Sequence, residues 1–323
     1  MFEQLRAIDL FCGAGGSSYG AHCAGIEIVA GIDIWKPAVK TYRLNFPKAK
    51  AIEADIRQVC PKDIKSQIGE IDLILASPEC TNHSRAKGAA ERFEESREIA
   101  FEIIRFVKVF RPKWLVIENV IEMESWNRHG ELLDKLWQLD YFVKQVKLNA
   151  KDFGVPQSRN RLFILCSLTG EAIKPVYNGQ INKPALEIID TSGKYQLSPL
   201  KKAGRAENTL KSAEHAIAKL GNDMPFLLVY YGSARKENRG WQRIDQPLRT
   251  ITTLDRFAYV TLGEMEGHLM RMLQPEELKF AMGFGADFKL EVVEGISRRD
   301  RIKLMGNGVC PPVMEAIVRS LIV

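Results

Sequence analysis

Several features that would assign this sequence to a class at once are missing from it. It has no run of about 18 uncharged apolar residues, which argues against a membrane-spanning helix. Residues 1–6 contain no apolar core of the kind that signal peptides need. No segment is poor enough in apolar residues to indicate a long disordered tail. We therefore expect a folded protein, and its 323 residues suffice for one large domain and a smaller one.

Cysteine and histidine are also few, and both are scattered along the chain. The six cysteines include no Cys-x-x-Cys pair, and the five histidines do not cluster. This distribution argues against a disulfide framework and against a thiolate zinc site. We therefore expect a cytoplasmic protein in a reducing compartment, with no metal and no membrane association.

The net charge of +6 is modest for this length, but its placement is uneven. Residues 171–260 carry 14 Lys and Arg against 9 Asp and Glu, a balance of 14 − 9 = +5. The rest of the chain has 32 basic against 31 acidic residues. A basic segment beside a nearly neutral body favours a surface that meets a polyanion, with ordinary solvated charge as the alternative.

Short apolar runs alternate with helical patterns through the first half of the chain. The predicted strands are 5–10, 26–32, 51–55, 71–76, 114–117 and 162–166. Helices are predicted after the first strand, over 36–46 and over 98–110. This alternation predicts an α/β fold, a doubly wound and mostly parallel sheet with helices on both faces.

The pattern changes near residue 176, where the alternation stops and glycine-containing loops become frequent. We predict a smaller, irregular domain over 176–269. The larger domain then comprises 1–175 together with 270–323, including a last apolar helix over 313–322. The C-terminal segment is too short to fold alone, so we expect it to pack on the first sheet.

Polar residues follow the predicted strands at their carboxyl ends, where open α/β sheets bind ligands. The glycine-rich turn 13–16 lets backbone amides approach a bound group. Asp33 ends the second strand, where an acid typically accepts hydrogen bonds from ribose hydroxyls. Trp35 offers a flat face to an adenine, and Asp55 is placed to meet its edge. Because the turn is not Gly-x-Gly-x-x-Gly and no Walker lysine follows, the pattern favours an adenosyl ligand without phosphates. An ordinary tight turn is the alternative.

A second group of residues suggests chemistry. Cys80 follows an apolar strand on a polar turn, which is typical of a presented thiol, whereas a core-filling cysteine is the alternative. Glu118 ends the next strand, and a carboxylate there needs a partner or a role. Arg159 and Arg161 would point to one face of a strand, where an anion or polar ligand could separate them; a solvated edge is the alternative.

Taken in order, these segments resemble the motifs of the cytosine-C5 DNA methyltransferase family. The similar segments are the S-adenosylmethionine loop (9–16), the ribose and adenine motif (33–35), the next cofactor contact (54–56), the Pro-Pro-Cys nucleophile motif (78–80), Glu-Asn-Val (118–120), Gln-x-Arg-x-Arg (157–161) and the late motif that closes the cofactor pocket (306–309). The departures are Glu79, which stands where the family has proline, and Asn82 and His83. A carboxylate beside the nucleophile disfavours the thiolate unless it turns away or pairs with a cation.

The resemblance implies the class I S-adenosylmethionine methyltransferase fold with a target-recognition domain at 176–269. It implies methyl transfer to C5 of a flipped cytosine in a specific double-stranded DNA sequence, through a covalent adduct between Cys80 and C6. Glu118, Arg159 and Arg161 would act on the base. The alternatives are an RNA (tRNA) cytosine-C5 methyltransferase, a catalytically silent DNA-binding relative and a cysteine hydrolase using Cys80 and His83.

The resemblance also assigns binding residues. The cofactor residues are Phe11, Cys12, Gly13, Gly15, Gly16, Ser17, Asp33, Ile34, Trp35, Asp55, Ile56, Pro78, Asn307 and Val309. The candidate DNA-binding residues are Ser84, Arg85, Lys87, Gln157, Arg205, Arg235, Lys236, Arg239 and Arg243. We expect a monomer of bacterial, archaeal or phage origin, associated with the nucleoid and typical of a restriction-modification system.

Overall fold

A seven-stranded sheet forms the centre of the larger part of the molecule. The computed structural model describes residues 4–79, 98–231, 240–263, 267–290 and 292–322. The strands are β1 (Arg6–Leu10), β2 (Glu27–Asp33), β3 (Lys50–Glu53), β4 (Leu73–Ala76), β5 (Trp114–Asn119), β6 (Phe142–Asn149) and β7 (Asn160–Ser167). Their order is β3-β2-β1-β4-β5-β7-β6. The neighbouring pairs from β3 to β5 are parallel, and β7 runs antiparallel to β5 and β6.

Helices cover both faces of this sheet. They are α1 (Gly16–Cys23), α2 (Lys36–Asn45), α3 (Pro61–Ile68), α4 (Glu102–Phe110), α5 (His129–Trp137) and, near the C-terminus, α7 (Pro275–Ala281), α8 (Arg298–Asn307) and α9 (Pro311–Leu321). Residues of α1, α2 and α9 join one cluster of buried apolar side chains, and residues of α3, α4 and α5 join another. Ala7 belongs to the first cluster and Ile8 to the second, because successive strand residues point to opposite faces.

This architecture confirms the predicted α/β class and the doubly wound, mostly parallel sheet. The central strands β4 and β5 are buried along their whole length, which explains the apolar runs 73–76 and 114–117 within them. The sequence did not predict the edge strand β6, because it is largely exposed and carries Lys144 and Lys147 among its apolar residues. Helices α3 and α5 were not predicted either.

A second sheet lies in the region that was expected to be irregular. Its strands are β8 (Ser198–Pro199), β9 (Phe226–Val229), β10 (Trp241–Arg243), β11 (Phe257–Gly263) and β12 (Gly267–Met272), in the order β10-β9-β11-β12-β8. All its pairs are antiparallel, and helix α6 (Glu207–Leu220) packs on it over a third apolar cluster. The predicted boundary at residues 269–270 falls inside β12. Among the described residues, no helix is both long and apolar enough to cross a bilayer.

Candidate active site

A cavity of about 810 Å³ opens at the carboxyl ends of the parallel strands β1 to β5. Parallel strands end at the same edge of a sheet, so the segments that follow them meet there. The predicted site residues in its wall are Phe11, Cys12, Gly13, Gly16, Ser17, Asp33, Ile34, Trp35, Asp55, Ile56, Pro78, Glu118, Arg161, Asn307 and Val309. Residues that are far apart in the sequence of the large domain therefore line one and the same cavity.

The glycine turn forms the part of this wall that follows β1. Gly13 and Gly15 have φ angles of 53° and 97°, in the left-handed region that favours glycine. A Cβ on Gly15 would lie 2.4 Å from the ring of Phe46, and a Cβ on Gly16 would lie 2.2 Å from the carbonyl oxygen of Val309. Gly15 therefore packs away from the cavity, while Gly16 lets α1 approach the segment before α9.

Asp33 is held at the end of β2 by two backbone amides. Its Oδ2 accepts from the amide of Gly13 at 2.9 Å, and its Oδ1 accepts from the amide of Trp35 at 2.8 Å. Burial raises the pKa of this carboxyl above its ordinary value, and the amide hydrogen bonds oppose the shift. Each carboxylate oxygen can accept a further hydrogen bond, so the side chain suits a ligand with hydroxyl donors.

Lys303 is a cavity residue that the sequence reasoning missed. Its Nζ lies 4.3 Å from the centre of the Trp35 ring, close enough for a cation–π interaction. One face of Trp35 is therefore next to a positive charge. The spacing of residues in the sequence could have indicated Lys303. It lies four residues before Asn307 on α8, and therefore on the same side of that helix.

Asp55 also lines the cavity, but its carboxylate forms an ion pair with Arg57. Arg57 Nε lies 3.0 Å and 3.1 Å from the two Asp55 oxygens, and its Nη2 lies 2.5 Å from Oδ2. These hydrogen bonds hold the pKa of the Asp55 carboxyl below its ordinary value. The sequence did not indicate Arg57, since an ion pair two residues apart depends on the turn that follows β3.

Glu118 and Arg161 form a buried ion pair in the cavity wall. Arg161 Nε lies 3.0 Å from Glu118 Oε1, and their side chains are 15% and 8% exposed. Burial raises the pKa of Glu118, while the charges of Arg161 and Arg159 and a hydrogen bond from Ser77 oppose that shift. Ser77, another residue the sequence reasoning missed, also lies 3.5 Å from Ser17, hydroxyl to hydroxyl.

Asn119, the residue after Glu118, connects the end of β5 to the segment that follows β4. Its amide nitrogen donates to the carbonyl of Pro78 at 3.2 Å, and its side-chain oxygen accepts from the amide of Val120 at 2.8 Å. The chain is thereby held beside β5 up to Pro78. Cys80 lies outside the described residues, so its place relative to Glu118 stays a prediction.

Arg159 and Gln157 lie away from the cavity surface. Arg159 is 2% exposed and donates to the backbone carbonyls of Ile251, Gly306 and Gly308. Gln157 is fully buried; its amide nitrogen donates to the Ala281 carbonyl, and its oxygen accepts from the amide of Ile251. Contact of Gln157 with DNA would require these bonds to break. The two arginines of this motif therefore have different partners: Arg161 lines the cavity beside Glu118, and Arg159 binds backbone carbonyls.

The remaining candidate DNA-binding residues are only partly described. Arg205 donates to the carbonyls of Pro199 and Leu200, and Arg243 forms an exposed ion pair with Asp245. The candidates Ser84, Arg85, Lys87, Arg235, Lys236 and Arg239 lie outside the described residues. Within the described part of the chain, no three His, Cys, Asp or Glu side chains are grouped as metal ligands would be.

Comparison with known proteins settles the family. Residues 5–323 match the sequence model of the C-5 cytosine-specific DNA methylases. The chain belongs to this family. The resemblance inferred from the motifs is thereby confirmed, and with it the methyltransferase type of the chain.

Individual methylases of the family are similar over different lengths. M1.ScrFI, a type II methyltransferase of Lactococcus lactis subsp. cremoris, is 28% identical over 99% of this chain and 78% of its own length. M.AquIA of Picosynechococcus sp. is 33% identical over 65% of this chain and 90% of its own length. M.DdeI of Desulfomicrobium norvegicum is 32% identical over 58% of this chain. This chain spans about half the length of several such relatives, 45% in the case of M.DdeI.

Solved structures of methyltransferases share the fold. The Entamoeba histolytica methyltransferase EhMeth superposes with a TM-score of 0.71 at 16% identity, covering 99% of this chain and 98% of that one. The DNMT2 of Spodoptera frugiperda superposes with a TM-score of 0.69 at 18% identity, covering 99% of this chain and 100% of that one. At these identities the likeness concerns the fold alone.

Proposed function

We propose that this methylase transfers a methyl group from S-adenosylmethionine to C5 of a cytosine in a specific double-stranded DNA sequence. The observation that carries the proposal is the single cavity in which the glycine turn and Asp33 lie in the same wall as the buried Glu118–Arg161 pair. One part of this wall suits an adenosyl group, and the other suits the polar edge of a base.

The residues on the cofactor side fit an adenosyl ligand that carries no phosphates. Asp33 retains acceptor capacity for ribose hydroxyls, and the exposed side chain of Ile34 (66% exposed) offers apolar surface to a flat ring. No Walker lysine follows the glycine turn in the sequence, and the lysine found among the described residues of the cavity wall, Lys303, lies against Trp35. When bound, S-adenosylmethionine supplies an electrophilic methyl group.

The chain's own residues would activate the base. Cytosine C5 is a poor nucleophile, and addition of the Cys80 thiolate to C6 makes it enamine-like. Glu118 would hydrogen-bond the N3 and N4 edge and stabilise N3 as it becomes protonated. Arg161, held against Glu118, would orient that carboxyl and the base together. After C5 has been methylated, a water removes the C5 proton and the C6–sulfur bond breaks, which restores the thiolate.

The base must leave the double helix for this chemistry, since a thiol cannot reach C6 within stacked base pairs. We infer that the cytosine is flipped into the cavity beside Glu118. The second sheet and the basic segment 171–260 would then hold the duplex through phosphate and base contacts. Ser84, Arg85, Lys87, Arg205, Arg235, Lys236, Arg239 and Arg243 remain candidates for these contacts.

Methyl incorporation is the direct test. The full chain is incubated with methyl-labelled S-adenosylmethionine and either duplex DNA or tRNA, and bisulfite sequencing then maps the methylated cytosines. We expect label in duplex DNA at one recurring sequence. Label in tRNA alone would show the RNA enzyme instead, and duplex binding without any label would show a silent DNA-binding relative.

A further inference from the structure

The segment that contains Gln157 and Arg159 runs between the two sheets. Its backbone pairs with the segment before β11: the amide of Ser158 donates to the Leu248 carbonyl at 2.7 Å, and the hydroxyl of Thr250 donates to the Ser158 carbonyl at 2.8 Å. The side chain of Gln157 accepts from the amide of Ile251 at 2.9 Å. The segment therefore fixes the connection between β10 and β11 of the second sheet.

Arg159 extends this attachment to a second loop. Its Nη1 donates to the Ile251 carbonyl at 3.0 Å, and its Nη2 donates to the carbonyls of Gly306 and Gly308 at 2.7 Å and 2.9 Å. The side chain is 2% exposed, so these charge-assisted bonds are formed without competition from water. One guanidinium thus connects the β10–β11 connection to the end of α8 and the loop that follows it.

Both loops that Arg159 holds reach the cavity. Thr253 lines it from the first loop, and Gly308 and Val309 line it from the second. The two segments are also in close contact, because a Cβ added to Gly306 would lie only 2.3 Å from the carbonyl carbon of Thr252. Beyond them, the Val309 carbonyl packs against Gly16 of the glycine turn. A shift of the Arg159 guanidinium would therefore move the wall against which the cofactor is expected to bind.

We propose that Arg159 is a positioning residue for the cofactor wall and not a residue that contacts the base. It acts through the backbone of residues 306–309, at the end of α8, and it makes the geometry of that wall depend on the connection between β10 and β11. The proposal rests on the proposed function, since it assigns Arg159 a role at the same cavity. It predicts a binding defect that is present before any nucleic acid is added.

The test measures binding of S-adenosylhomocysteine to the full chain by calorimetry in the absence of nucleic acid. Arg159→Met is expected to weaken binding by roughly tenfold to 100-fold, the scale on which small misplacements act. Arg319→Met is the matched control: it removes an exposed guanidinium on α9, and it should leave this binding unchanged. Arg159→Lys, which keeps the charge and can donate to part of the same carbonyl set, should give an intermediate loss.

Kinetics separate positioning from general damage. In Arg159→Lys, the KM for S-adenosylmethionine should rise by a larger factor than kcat falls. Arg159→Lys also serves if Arg159→Met does not fold. An Arg159 variant that is folded and binds S-adenosylhomocysteine like the unmodified chain, yet transfers no methyl group, would overturn the proposal in favour of a base contact. Failure of the unmodified chain to bind would instead contradict the proposed function.

Discussion

At the scale of single residues, the ionisation of Glu118 decides how the site can work. Burial favours its protonated form, whereas the guanidinium of Arg161 at 3.0 Å favours the carboxylate. In the proposed reaction, a group under two opposed influences would exchange a proton with N3 of the base. Burial is the larger of the two, so the pKa of Glu118 lies above its ordinary value.

Replacing this acid should therefore slow the chemical step. We expect Glu118→Gln to reduce methyl transfer by about 100-fold to 10,000-fold, because glutamine keeps the shape of the side chain but cannot donate a carboxyl proton. Single-turnover transfer from labelled cofactor measures the effect. Glu315→Gln, in an exposed ion pair on α9, is the control and should be active. A normal rate of methyl transfer by Glu118→Gln would show that Glu118 has a structural role only.

The thiol at position 80 gives a sharper prediction. Cys80→Ala should abolish turnover, since no C6 adduct can form, and should leave binding of S-adenosylhomocysteine intact. Cys60→Ala removes an exposed thiol at the start of α3 and should behave like the unmodified chain. Full methyl transfer by Cys80→Ala would refute the assignment of the nucleophile.

Asp9 should make the stability of the fold depend on pH. This β1 residue is 1% exposed, and its Oδ2 accepts from the Ser18 hydroxyl at 2.7 Å. Burial raises the pKa of Asp9 from 3.8 to about 7. Because the folded state holds this proton more tightly than the unfolded state, the contribution of Asp9 to stability is fully present below about pH 4 and is lost as the pH rises through about 7. A shift of this size corresponds to about 4 kcal/mol.

The variant that tests this effect is Asp9→Asn, which cannot ionise but can accept the Ser18 hydrogen bond. Its free energy of unfolding, from urea titrations between pH 4 and 8, should fall less with rising pH than that of the unmodified chain. Asp300→Asn is a control, since the pKa of this exposed helix-capping carboxyl is lowered instead. Parallel pH profiles for Asp9→Asn and the unmodified chain would contradict the argument.

At the scale of elements, a buried ion pair fixes β12 to α7. Arg271 donates to Glu277 at 2.6 Å and 2.8 Å, and their side chains are 4% and 3% exposed. Glu277 also accepts from the amide of Gln274, the residue that caps the N-terminus of α7. The pair therefore connects the second sheet to the C-terminal helices, although a buried pair is not in itself strongly stabilising.

Removing one partner leaves a buried charge without compensation. We expect Arg271→Met to lower the free energy of unfolding by about 3–5 kcal/mol. Arg319→Met breaks an exposed pair on α9 and should cost at most about 1 kcal/mol. Chemical denaturation compares the two variants. Equal, small effects would show that water reaches the Arg271 site.

The elements also show which local patterns were informative. Strands β1, β2, β4 and β5 were predicted close to their observed bounds. Each is a short apolar run next to turn-forming residues, and such a run can be recognised from neighbouring residues of the sequence alone. Strand β6 is an edge strand with exposed lysines, and the strands β8 to β10 have four residues or fewer. Such segments become strands only when a neighbouring strand supplies hydrogen-bond partners.

At the scale of the whole molecule, charge is unevenly distributed. Five of the six net positive charges belong to residues 171–260, the segment that contains most of the second sheet. If this surface meets DNA, binding releases counterions from the phosphates. We expect the logarithm of the affinity for a random duplex to fall linearly with the logarithm of salt concentration, by about 0.9 per phosphate neutralised.

Fluorescence anisotropy with a labelled duplex at increasing salt measures this slope. Binding of S-adenosylhomocysteine, which involves no phosphates, is the internal control and should change little over the same range. A duplex affinity that is independent of salt would mean that the basic segment is ordinary solvated surface.

The sequence by itself determined the fold class, the family and most of the residues that line the cavity. Apolar runs, a glycine turn and an acid 20 residues after Gly13 depend only on neighbours along the chain. In a parallel sheet, the ends of the strands meet whatever the remaining contacts are. This is why the amino-acid sequence is sufficient to assign Asp33, Glu118 and Asn307 to one site.

Only the tertiary structure decided which partner each charged side chain has. Arg159 and Arg161 are two residues apart, yet one binds carbonyls 92 to 149 residues away and the other binds Glu118. A guanidinium binds whichever acceptors are within its reach in the absence of water, and packing of distant segments sets that reach. The different partners of Arg159, Arg161 and Gln157 therefore follow from the three-dimensional fold and not from their shared motif.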